Sequence, residues 1–250
     1  MTAIKQNSTR SELWQLPIVS DSRDDEFDGT SLSPSWVTYD AGTSLPATLS
    51  ANTVNTYDTA FSGTSTIRVT VQDSWVNLQT PGNSIYFGLS KAVTIGTNVL
   101  VYARIKVNIK TTGTHTNSDY TIGMGLFQNI GGIADWNNNV LCYMNSPNTN
   151  NIQAQSQRHV GGVLTVNLVS DNVGRSGSPL EYVAIHKIGT TYHNWVGTAS
   201  GNWLYMGSTT TALTMAYIGF IIANATTATP GVGVVGVDFV RFIDTSNFLL

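Results

Sequence analysis

The sequence predicts an all-β protein, an antiparallel β-sandwich of jelly-roll type with an extended N-terminal arm. Three observations lead there. Residues 98–110, NVLVYARIKVNIK, put Val99, Val101, Ala103, Ile105, Val107 and Ile109 on one face and Arg104, Lys106, Asn108 and Lys110 on the other. A period of two sustained this long marks an antiparallel strand buried on one side. Further short apolar runs alternate with turn clusters such as TPGN, KTTGTHTNSD, SPNTNN and TASGN. No segment carries the apolar spacing of an amphipathic helix of ordinary length.

Taken in order, residues 1–23 show neither period and are expected to form the arm, with Trp14, Leu16 and Ile18 packing on another surface or a partner. From about residue 25 the strands begin. After TIRVTV and SIYFGL comes the long strand, then YTIGMGLF, VLCYM and GVLTVNLV. LEYVAIHKI, TTYHNWVG, NWLYMG, MAYIGFIIA and GVVGVDFVRFI complete the set. No period of roughly 20–50 residues recurs, so one domain spans residues 24–244, followed by a tail, 245–250, whose SNFLL favours burial.

Composition narrows the function. Charged residues make up 11% of the 250, against about 25% in an ordinary soluble domain. A net charge of -3 lacks the basic stripe that nucleic acid requires. No apolar run reaches the roughly 18–20 residues of a membrane-spanning helix, and the N-terminus has no apolar core of a secretory signal. The single cysteine, Cys142, lies in the apolar run VLCYM and reads as a buried, inert thiol on a chain made in a reducing compartment. A neutral, Thr- and Asn-rich surface on such a chain resembles virion proteins, assembled in the host cytoplasm and working outside it.

Two stretches carry a family resemblance. DDEFDGTSLSPSWVTYD, from residue 24, and GVDFVRFID, residues 236–244, are similar to the opening and closing strands of family-16 glycoside hydrolases and related concanavalin A-like sandwiches. The resemblance implies that the two ends lie side by side. It also implies a structural calcium there, with Asp238 as the best ligand, helped by Glu26 or a carbonyl near Gly29. Calcium takes six to eight oxygens, mixing carboxylates and carbonyls. The alternative is that Asp25, Glu26 and Asp28 form a solvated edge. The middle of the chain departs from the enzymes, which carry Glu-x-Asp-x-(x)-Glu on a central strand. Here the glutamates are Glu12, Glu26 and Glu181, and no strand presents two carboxylates at i, i+2 or i+4. No catalytic residue is expected, because retaining hydrolysis needs two carboxyls about 5–5.5 Å apart.

Other patterns have structural explanations. GVGVVG, residues 231–236, matches a dinucleotide fingerprint but opens a strand rather than a helix. His186 and His193 are expected to face each other across one hairpin as a polar pair. Nothing frames a serine as a nucleophile. Large aromatics of the Tyr192, Trp195, Trp203 and Tyr205 group are expected in the core or, for Tyr192, at a ligand. GGIADWNNN, residues 131–139, has sugar-binding composition in Asp135, Trp136, Asn137 and Asn138, with a protein contact for Trp136 as the alternative.

The resulting expectation is a non-enzymatic bacteriophage virion protein, a capsid decoration, head-fibre or tail-associated module. It would assemble with other virion proteins and with copies of itself. The alternative is a lectin-like module binding a host glycan. A glycoside hydrolase ranks below both.

Overall fold

The long alternating segment is a strand over its whole predicted length, β5 (Asn98–Lys110), and the rest of the molecule is arranged around it. The computed structural model describes residues 20–29, 31–40, 68–72, 75–80, 86–110, 120–129, 138–148, 151–170, 180–198, 202–224 and 232–246. Before β5 come β1 (Trp36–Asp40), β2 (Arg68–Gln72), β3 (Trp75–Thr80) and β4 (Tyr86–Ala92). After it come β6 (Tyr120–Phe127), β7 (Asn139–Asn148), β8 (Asn151–Val160), β9 (Val163–Ser170) and β10 (Leu180–Ile188). The chain continues with β11 (Thr191–Thr198), β12 (Trp203–Thr210), β13 (Tyr217–Asn224) and β14 (Val232–Asp244).

These strands form two antiparallel seven-stranded sheets. The first has the order β1-β4-β13-β6-β7-β8-β9 and the second β12-β11-β10-β5-β14-β3-β2. No helix among the described residues is long and apolar enough to cross a membrane.

The alternation decides what lies between the sheets. From β5, Val99, Val101, Ala103 and Ile105 enter a core with Val183, Ile185 and Val196 of the second sheet. Opposite them stand Leu89, Met124, Leu126, Val140, Cys142, Ala154, Ile218 and Phe220 of the first. The Cys142 thiol is fully buried and donates to the Trp195 carbonyl across the core at 3.2 Å. Burial pushes it up to about 12, so it is inert at neutral pH. Asn194 also bridges the sheets, giving its amide to the Leu141 carbonyl (3.0 Å) and Ser156 Oγ (2.6 Å).

The two ends do lie side by side. Asp25 pairs with Val240 as an antiparallel bridge, with reciprocal amide–carbonyl bonds of 3.0 and 2.9 Å. Residues just outside the expected limits make contacts with the sandwich. Arg23, placed in the arm by sequence, donates to the Thr94 carbonyl and accepts from Lys91 Nζ through its own carbonyl. Thr245, placed in the tail, is buried and meets His186 Nε2 at 3.1 Å. Short polar side chains with such partners give no apolar signal in the sequence. Trp14, Leu16, Ile18 and residues 247–250 lie outside the described residues.

Candidate functional site

The first sheet presents its outer face through the residues that alternate with its core positions. Along one cross-strand row stand Tyr217, Phe127, Asn139 and His159, in register from β13 through β6 and β7 to β8. The next row runs Ser90, Gly219, Gly125, Leu141 and Gln157. Phe127, Leu141 and Ile221 form an apolar cluster separate from the main core, with Tyr217 packed against it.

Glycines make this floor. A Cβ on Gly219 would stand 2.8 Å from the Phe127 ring, and one on Gly125 would meet the same ring at 2.8 Å and run into Leu141. Only bare backbone lets an aromatic ring lie down on the sheet here. Neutral polar groups border the floor. His159 Nδ1 donates to Asn139 Oδ1 at 3.0 Å, and burial lowers the His159 pKa from its ordinary 6.5. The imidazole is therefore neutral near pH 7, with Nε2 left as an acceptor. Gln155 and Gln157 lie further along β8.

Chemically the face offers amides, an imidazole and aromatic carbon. Of its seven strands, six contain no Asp or Glu, and only the edge strand β1 has one, Asp40. Such a surface can hydrogen-bond hydroxyls through neutral groups.

The sequence-derived sugar loop belongs to the connection between β6 and β7. Gln128 N bonds to the Asn138 carbonyl, closing the β6–β7 connection. Asn138 Oδ1 accepts from the Gly161 amide at 3.0 Å, which ties the loop's end to the β8–β9 turn. Asp135, Trp136 and Asn137 lie outside the described residues. Tyr192 requires correction as a ligand residue. It is 0% exposed in the core between the sheets, its phenol donates to the Leu213 carbonyl, and burial pushes its pKa up to about 12. Strand parity separates it from its supposed companions, because Trp195 and Tyr205 point to the opposite side.

That opposite side is the outer face of the second sheet. Trp195 and Trp203 are buried in a cluster with Leu100, Ala184 and Ile243, flanked by Tyr102, Tyr182 and Tyr205. They pack as expected, but outside the inter-sheet core. His186 and His193 face each other in register, as expected, with ring centroids 6.4 Å apart. This face also shows a pairing invisible in the sequence. Arg104 of β5 reaches Glu181 of β10 through Nε and Nη2 (3.2 and 3.1 Å) and Asp238 of β14 through Nη1 (3.0 Å). Burial opposes its charge, but the hydrogen bonds to these two carboxylates raise the Arg104 pKa above its ordinary value. The two carboxylates thus flank one guanidinium on this face.

Three acids of the opening stretch, Asp24, Asp25 and Glu26, accept hydrogen bonds within the fold. Asp25 Oδ1 accepts from the Phe27 amide at 3.0 Å and Oδ2 from Trp36 Nε1 at 2.7 Å. Asp24 accepts from the Phe242 amide at 2.7 Å. Glu26 takes both its hydrogen bonds from Arg241, at 2.8 and 3.0 Å. Those bonds hold Arg241 above its ordinary pKa. Gly29 is exposed in the turn that follows. A calcium ion would have to take Glu26 from Arg241 and Asp238 from Arg104, and no group of three or more His, Cys, Asp or Glu comes together among the described residues.

No protein-family model matches the chain, and no curated protein sequence matches it either. Solved structures do. The Bacteroides ovatus xyloglucan PUL GH43B protein superposes with a TM-score of 0.55 at 12% identity, covering 90% of this chain and 40% of that one. The chain therefore spans well under half the length of that relative. The Bacillus licheniformis β-glucanase gives 0.51 at 13% identity, covering 88% and 96%. The legume lectin-like domain from Entamoeba histolytica gives 0.50 at 8%, covering 70% and 86%. The fold is a concanavalin A-like sandwich. At these identities the likeness extends to architecture alone.

Proposed function

We propose that the chain is a non-catalytic, lectin-like module that holds a neutral glycan on the outer face of its first sheet. The observation that carries this reading is the described part of that face, where half-buried Tyr217, His159 and Gln157 stand around a buried floor of Phe127, Leu141 and Asn139, on a sandwich shaped like those of a glucanase and a lectin-like domain. Sugar rings lay C–H faces on aromatic carbon, and neutral amides and imidazole then meet their hydroxyls without the desolvation cost of a charge. The particle-assembly reading draws on the nearly charge-free surface and on apolar termini outside the described residues, whereas the structural likeness is to carbohydrate-active and lectin-like sandwiches, so the glycan reading is preferred.

The test is a glycan array followed by calorimetry on the best hit. Binding should weaken on the order of tenfold in His159→Ala, the loss of about one hydrogen bond, and the Arg104→Ala variant on the other sheet should bind like the parent. A blank array, or binding lost equally in Arg104→Ala, overturns the assignment to this face. Release of reducing sugar that disappears in Glu181→Gln would overturn the non-catalytic part.

A further inference from the structure

The four strands at the sheet edges differ in how they are protected. β1 is five residues long and ends in Asp40. β2 is equally short and begins with Arg68. β12 is interrupted by Gly207, where the register with β11 shifts and φ is 110°. β9, VLTVNLVS, is eight residues long and contains no charge, proline or glycine. It pairs with β8 on one side, and among the described residues no strand pairs with the other. Edge strands normally carry a lysine, a proline, a bulge or a short length that prevents pairing with another chain. β9 has a register shift only near its start, opposite Arg158 and His159.

Apolar exposure collects at the same place. Val163 is 63% exposed, Leu164 44% and Val160 38%, half of the exposed large hydrophobic side chains among the described residues. They surround the Gly161–Gly162 turn, in which both glycines take positive φ, so the tip is a tight two-residue hairpin.

We infer that β9 is the edge through which two copies of this chain pair, antiparallel, about a two-fold axis normal to the sheet. The occupant is a second copy because an uncharged strand meets its own sequence without like-charge repulsion, and a two-fold contact requires only a self-complementary surface. The product is one continuous fourteen-stranded sheet made from the two first sheets. A two-fold of that orientation turns both outer faces to the same side. If those faces bind sugar as proposed above, the dimer engages a glycan surface twice and gains avidity without new contacts. The pairing itself does not depend on sugar binding.

Sedimentation velocity of the full chain at micromolar concentration should give a species of twice 26.9 kDa. The double substitution Val163→Lys, Leu164→Lys puts charge on the exposed apolar end of β9, which in an antiparallel pairing lies against the far end of the partner's strand, the device by which edge strands are kept from pairing. Both positions are exposed, so its thermal melt should match the parent's monomer, while dimer affinity falls on the order of a hundredfold. Val37→Lys, on the opposite edge strand and 60% exposed, should leave the dimer intact. Hydrogen exchange adds a readout on the unaltered chain, because β9 amides should gain protection as concentration rises. A parent that sediments as a single chain, a dimer that survives the double substitution or is lost in Val37→Lys, or β9 protection that ignores concentration would each overturn the inference.

Discussion

Asp25 shows what single residues contribute. Its two oxygens hold the Phe27 amide and the Trp36 indole, and Phe27 sits in left-handed backbone at φ 52°, uncommon for a bulky side chain. Asp25→Ala leaves that turn and a buried indole without acceptors, and should cost about 1–3 kcal/mol. Urea denaturation should show a lower midpoint at unchanged slope. His186 carries a pH signature. It is 1% exposed, and burial first, then the neighbouring His193, lowers its pKa from 6.5 to about 4. The unfolded chain therefore binds the proton first. The contribution is full above pH 6.5 and is lost as pH falls from there to about 4. Stability measured across this window should fall less steeply in His186→Gln than in the parent. The sequence announced the His186–His193 pair through hairpin spacing. It did not announce Tyr192's burial, because a polar tip on a strand is compatible with either face until register is known.

At the level of elements, the strands were readable and the sheets were not. Alternation in β5 was legible because one face is apolar and the other charged. By contrast, VLCYM predicted only the centre of β7, whose full span is Asn139–Asn148. Polar residues there alternate without an apolar partner and look like loop. The outer face of the first sheet was invisible for a related reason: YTIGMGLF and MAYIGFIIA read as strands, but nothing in them shows that Gly125 and Gly219 seat the Phe127 ring. Gly219→Ala should cost about 1–3 kcal/mol by overpacking and should weaken glycan binding together with stability, measured by melting and calorimetry. The opening segment was recognised by its acids but not by their cations. Glu26 is 43% exposed on its side chain, so the Glu26–Arg241 pair should contribute at most about 1 kcal/mol in a double-mutant cycle. Because arginines already face Glu26 and Asp238, neither chelator nor added calcium is expected to move the melting temperature. A calcium-dependent rise would reinstate the ion, since a ligand of the folded state must stabilise it with concentration.

Across the whole molecule, the sandwich and the adjacency of its ends were legible because the closing strand has a strong pattern and Asp25 and Val240 do pair. What the sequence could not supply was the sheet order. Glu181 and Asp238 are 57 positions apart in the chain and come to share Arg104 only because β5 lies between β10 and β14. That same placement has a temporal consequence. β14 is the last of the described strands in chain order, yet it occupies an interior slot, bonded to β5 on one flank and β3 on the other. Until residues 232–244 emerge, the second sheet is split into two incomplete pieces. Long-range closures of this kind are slow and leave unpaired edges exposed meanwhile. A chain halted before residue 232 should be digested by protease far faster than one that includes β14, and release of that thirteen-residue strand should be the event that confers resistance.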